Sequence, residues 1–297
     1  MTRRISLTLI AALFVAAASA QEAVTIKFKE RGEGESVLIT KIEAGTFSLT
    51  IVDAKGKILS EQKDKSADIK EYKETVLKRE GAKPATKLER EYSKAQSTKG
   101  GTTHDWPVVG KTIVAEKKAG KYTFAFKGGD DLAGPFADAL VKEFSRKGET
   151  DNEFEKLMLP KTAVKPGEKW ALDMAPVVKD LGKGGEVEVV AAGAIGVGRL
   201  VETYLKDGRQ FGKMEYRLEV PIKALGKGTG QVKFLDGAKI SIDMSMDMCI
   251  DGTLEVGTMR SRISTAGNAT LPKVPGAIAT LNIVNDLVQI HAAPAKK

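Results

Sequence analysis

Cysteine, histidine and tryptophan are all scarce here: one, two and two copies in 297 residues. With Cys249 alone, an internal disulfide is excluded, so stability has to come from burial. With only His104 and His291, a Ser-His-Asp arrangement has few ways to exist, and no Gly-x-Ser-x-Gly elbow occurs. Ser60-Glu61-Gln62-Lys63 has the spacing of some acyl-enzyme hydrolases but lacks their Ser-Asp-Asn and Lys-Thr-Gly companions. Gly110-Lys111-Thr112 ends like a phosphate loop, yet Asp105 stands where that motif needs glycine, and a strand pattern follows where a helix belongs. Gly193, Gly196 and Gly198 are in the wrong order for a dinucleotide fingerprint and read as glycines that kink a strand. No catalytic residue, metal or cofactor is assigned on these grounds, and the expectation is a protein without nucleotide, triad or cysteine chemistry.

Long apolar runs are also missing beyond the N-terminus, so no membrane-spanning helix is expected in the rest of the chain. The first residues have the layout of a secretory signal: Arg3 and Arg4, an apolar run from Ile5 to Ala18, and small residues at 18–20 before Gln21. Residues 1–20 are therefore expected to be removed on export to a periplasmic or secreted location. Losing Arg3 and Arg4 leaves 45 cationic side chains against 39 acids, a net charge of only +6. Lysines and glutamates alternate instead of clustering, which argues for a solvated surface and against nucleic acid as a partner.

What is present in abundance is two-residue alternation. Val24, Ile26 and Phe28 alternate with polar neighbours, and Val37 to Ile42 and Thr46 to Val52 read as two strands joined at Glu43-Ala44-Gly45. Residues 64–96 fit either helix or strand, and a long hairpin about Gly81 to Pro84 is the preferred reading. A clearer hairpin turns at Ala119-Gly120, with Tyr122, Phe124 and Phe126 directed at the core. Pro135 opens a helix to about Ser145, with Phe136, Ala139, Leu140 and Phe144 on one face. Beyond residue 160 almost everything reads as strand, with reversals at Asp207-Gly208, Asp236-Gly237 and Asp251-Gly252. The run from Ile240 to Ile250 spans roughly 36 Å at about 3.3 Å per residue, long enough to demand a strongly twisted sheet. The class predicted is mainly β, with long twisted antiparallel sheets in a half-barrel or two sheet-rich halves, at 21–159 and 160–297.

Between those halves lies Leu157 to Asp173, whose Pro160 and Pro166 forbid a continuous helix, and whose Pro166-Gly167 turn delivers Trp170 into an extended segment. Trp170 is expected to plug a seam between layers. Met244, Met246 and Met248 share one strand face, with Leu218 and Val220 on a neighbouring strand. Thioethers favour Cu(I), but three of them on one strand are read first as flexible core filling. The candidate ligand surface is this Met face together with Trp170, holding an apolar or lipid-like molecule. The competing reading is an envelope protein whose Met face is covered by its own helix and opposite half, and whose partner is another protein.

Leu159-Pro160 followed by Val164-Lys165-Pro166-Gly167-Glu168-Lys169-Trp170 resembles a signature of uncharacterised exported bacterial β-rich proteins, roughly Leu-Pro, then Pro-Val-Lys-x-Gly-Asp-x-Trp. Ala163 stands in place of its usual proline. Gly110-Lys111-Thr112 and the Asp207-Gly208 hairpin also resemble that group. The resemblance implies export and a β fold, and it carries no activity. More loosely, the pattern is similar to periplasmic lipoprotein-carrier half-barrels.

Overall fold

The computed structural model describes residues 22–81, 83–147, 157–183, 185–226, 231–271, 274 and 276–294; the expected signal segment lies outside them. Three long strands begin the sheet: β1 (Ser36–Val52), β2 (Ile58–Lys78) and β3 (Lys87–Lys99). β4 (Thr102–Asp105) folds back on β3, and β5 (Thr112–Lys118) and β6 (Lys121–Phe126) form the next hairpin. Ala119 and Gly120, with φ of 48° and 81°, supply the left-handed pair that such a tight turn needs. After α1 (Pro135–Lys147) come β7 (Lys169–Ala171), α2 (Met174–Gly182), β8 (Val187–Val189), β9 (Ile195–Lys206) and β10 (Arg209–Leu225). The chain ends with β11 (Val232–Lys233), β12 (Lys239–Cys249), β13 (Gly257–Thr270) and β14 (Ile278–Ala292).

All these strands join one open, antiparallel 14-stranded sheet, ordered β6-β5-β3-β2-β1-β14-β13-β12-β10-β9-β7 along its main path. The mainly β class is thus seen, as is the hairpin across residues 64–96. The two sheet-rich stretches are not separate sheets. β1 pairs with β14 over 15 residue pairs, from Leu38↔Ala292 to Val52↔Ile278, so the sheet runs unbroken through both.

One face of the sheet carries two apolar clusters. Under α1, Tyr72, Val76, Tyr92, Ile113 and Phe124 pack with Phe136, Leu140 and Phe144, which recur every four residues along the helix. At the other end, Leu200, Met214, Tyr216, Leu218, Ile240 and Ile250 pack under the extended residues 24–28 and the segment from Met158 to Leu181. Tyr122, Phe124 and Phe126 all join the first cluster, as their alternation predicts.

Four local expectations are corrected. Val24 to Phe28 is not a sheet strand; it makes only isolated bridges, Val24↔Val164 and Lys27↔Asp251, while Ile26 is buried against the second cluster. Gly45 is not a turn but the middle of β1, where Ser66 Oγ lies within 2.8 Å of the place a Cβ would occupy. The second half also contains α2, capped by Asp173, which accepts the Ala175 N–H at 3.2 Å. Gly196 and Gly198 do not kink β9, whose register stays regular there; they leave room for Met174 and Trp170, and a Cβ on Gly198 would come within 2.6 Å of Trp170 Nε1.

Candidate ligand-binding cavities

Residue alternation places Glu215, Arg217, Asp243, Ser245, Arg260, Arg262, Asp286 and Val288 on the face opposite the apolar clusters. Cross-strand register arranges them in rows. One row runs Arg199, Glu215, Ser245, Arg260, Val288 and Ile42; the next runs Val197, Arg217, Asp243, Arg262, Asp286 and Ala44. Residues from β7 to β14 on this face line a single cavity of about 920 Å³, so the face is concave there.

Its lining contains five cationic residues, Lys169, Arg199, Arg217, Arg260 and Arg262, and three acids, Glu215, Asp243 and Asp286, an excess of two positive charges. Some are already matched. Arg262 grips Asp286 through two hydrogen bonds, Nε to Oδ1 at 2.7 Å and Nη2 to Oδ2 at 3.0 Å. That pairing lowers the Asp286 carboxyl below its ordinary value and raises the Arg262 guanidinium. Arg217 pairs with Glu219 at 2.8 Å. Arg199 and Arg260 make no ion pair among the described residues, and buried Nε of Arg199 has no hydrogen-bond partner. Ile195 and Val197, 58% and 41% exposed, stand beside these cations as an apolar wall.

A second cavity of about 310 Å³ lies on the cluster-bearing face, between the two apolar cores. One of its sides is ionic. Arg31 reaches Glu74 at 2.5 Å and Glu255 at 2.6 Å, and Arg90 reaches Glu74 at 2.7 Å and Glu143 of α1 at 2.8 Å. Arg90 also lies between the rings of Tyr72 and Phe144, 4.5 and 4.6 Å from their centroids. Burial alone would depress the Arg90 guanidinium, but Tyr72, Glu143 and Glu74 outweigh it and hold the charge. The other side carries Met246, Met248 and Met259, with His291 Nδ1 2.9 Å from Glu255 Oε1.

The residues singled out from sequence therefore divide. Leu218 and Val220 have no exposure; Leu218 sits within the second cluster, and both serve packing. Trp170 packs edge-on against Tyr216 and donates its Nε1–H to the Met158 carbonyl at 2.9 Å, which is a seam-plugging position. Met244 is partly buried against the core. Met246 and Met248 border the smaller cavity. His104 and Ser60 are exposed, and Cys249 is buried with its thiol directed at Asp251. Arg199, Arg260 and Met259 were not anticipated: arginines on the wet side of an alternating strand look like any solvated charge until strand order aligns them.

No protein-family model matches the chain, and no curated protein matches it. Among solved structures, one of lipovitellin, described as showing lipid–protein interactions, aligns with a TM-score of 0.37 and 10% identity, covering 90% of this chain and 26% of that one. An outer membrane channel from Pseudomonas putida F1 aligns with a TM-score of 0.21 and 6% identity, covering 89% and 98%. This chain spans about a quarter of the lipovitellin chain. Neither likeness is strong enough to transfer a fold or a ligand.

Proposed function

We propose that the chain is an exported, non-catalytic binding protein of the bacterial envelope that holds an amphipathic anion in the broad cavity of the curled sheet. The observation that carries this is one concavity of about 920 Å³ whose lining has two more cations than acids and includes Arg199 and Arg260, neither in an ion pair among the described residues, beside exposed Ile195 and Val197. A cation in a concave, partly desolvated wall attracts an anionic head group, and neighbouring aliphatic side chains favour an apolar tail. Of the Met face, the first candidate from sequence, Leu218 and Val220 have no exposure and Met246 and Met248 border the smaller cavity; the ligand surface proposed here is the opposite face. Export is supported by the layout of residues 1–20.

A dansyl-labelled undecanoic acid titrated into the chain tests this. The expected result is saturable binding that weakens at least about tenfold, or 1.4 kcal/mol, in the R199E/R260E double variant, while a dansyl-labelled undecanol is affected much less. Equal binding of the acid by both proteins would remove the cavity from consideration and leave a protein-interaction role as the better reading.

A further inference from the structure

The smaller cavity brings together four side chains that sequence distance separates, and from them we infer a site for a soft monovalent metal ion, Cu(I), formed by Met246, Met248, Met259 and His291. Met246 stands directly opposite Met259 in the β12–β13 register, where facing side chains are near neighbours. One row further, Met248 stands opposite Gly257, and Gly257 stands opposite His291 of β14. Gly257 is what allows the row to close. Its φ of 146° suits glycine, and Met248 Sδ lies 2.6 Å from the point a Cβ would take, so the thioether is laid across the bare backbone toward β14.

All four residues line the same cavity. Thioether sulfur and imidazole nitrogen are the donor types that select Cu(I), because a soft ion gains most from polarizable ligands and little from carboxylates. His291 Nδ1 lies 2.9 Å from Glu255 Oε1, although its N–H direction misses a well-aligned hydrogen bond. A carboxylate on that side is the arrangement that orients a ligating imidazole and leaves Nε2 as the donor atom. Nε2 now faces the side-chain amide of Gln289, which swings aside when the ion enters. The cavity's own cations are each held by carboxylates: Arg31 and Arg90 share Glu74 and reach Glu255 and Glu143, Lys29 pairs with Glu35 and Arg79 lies 3.8 Å from Glu30. The thioethers, which need no counter-charge, and not the ionic side, would therefore hold the ion. Coordination consumes only lone pairs: three thioethers and one unprotonated ring nitrogen donate, and no electron is transferred.

The test uses the chain under nitrogen with ascorbate-reduced copper and bicinchoninate as the competing chromophoric chelator. The expected result is stoichiometric withdrawal of Cu(I) from the chelator, with sulfur and nitrogen scattering in the copper X-ray absorption spectrum. M246L/M259L removes two ligands at nearly constant volume and lowers the affinity about 100-fold or more. M244L, which alters a methionine of the same strand that lies outside this smaller cavity, leaves the Cu(I) affinity unchanged, and circular dichroism confirms that both variants are folded. H291N retains sulfur scattering but loses the nitrogen shell. The site is overturned if the wild-type chain fails to compete for Cu(I), if M244L weakens binding as much as M246L/M259L does, or if H291N leaves the nitrogen shell intact.

Discussion

Arg90 shows how much one side chain can hold. Its guanidinium bonds carboxylates from β2 and α1, and two aromatic rings enclose it, so it fastens the helix to the sheet from inside a buried pocket. Removing it does not simply delete a contact; it strands part of the charge on Glu74 and Glu143 in a poorly hydrated place. Arg31 and Lys70 partly compensate, at 2.5 Å from Glu74 and 3.4 Å from Glu143. R90M is therefore expected to lower the unfolding free energy by about 3 kcal/mol, the lower end for breaking a buried pair. R262M, which removes an exposed pair, is expected to leave the urea midpoint unchanged. Equal midpoints for R90M and wild type would mean that water reaches the pocket well enough to replace the guanidinium. The hydroxyl of nearby Tyr92, pushed up to about 12 chiefly by burial, marks the same dry environment.

At the scale of elements, the reversal after β12 is held by one carboxylate. Asp251 accepts the Thr253 hydroxyl, the Thr253 N–H at 2.9 Å, the Cys249 thiol at 3.2 Å and the Gln210 N–H of β10 at 3.2 Å. These bonds, the Thr253 hydroxyl first, hold its carboxyl well below the usual carboxylate range. A folded value below the unfolded one means that the stabilisation is fully present above the unfolded value of about 3.9 and is lost as pH falls through the depressed one. D251N should therefore unfold at lower urea than wild type at every pH from 5 to 8, with the gap shrinking below pH 4. Midpoints measured at pH 7 and pH 3 check this, and a gap that stayed constant would show that geometry and not charge does the holding. The same scale explains Gly198: β9 can accept the Trp170 ring only because no Cβ stands beneath it.

Over the whole molecule, the β1–β14 pairing decides how the two core clusters respond to stress. Each cluster has its own tryptophan at its margin, Trp106 in the first and Trp170 in the second. Fifteen register pairs and the Arg31 bridge from Glu74 to Glu255 tie the ends together. Unfolding of one cluster would expose the paired edge of the other, so a single cooperative transition is expected. Urea melts of W106F and W170F, each followed by the tryptophan that remains, should give coincident midpoints. Midpoints that differ after correction for the effect of each substitution would show two independently stable halves.

The alternation from Tyr122 to Phe126, from Met214 to Val220 and from Ile240 to Ile250 was enough to specify strands, their buried sides and the mainly β class, because a period of two leaves no other regular structure for those side chains. Pro135 and the four-residue spacing of Phe136, Leu140 and Phe144 specified the helix in the same local way. Asp173 with Val177 and Leu181 carried a weaker helical signal, which the surrounding strand pattern masked until the capping bond showed it. The cavities were decided only by tertiary structure. Arg199 and Arg260 fall in one cross-strand row with two strands between them, and Met259 and His291 come beside Met246 and Met248 only because β14 lies between β1 and β13. Strand order is a global property, chosen by which faces can be buried together, and no residue's immediate neighbours encode it.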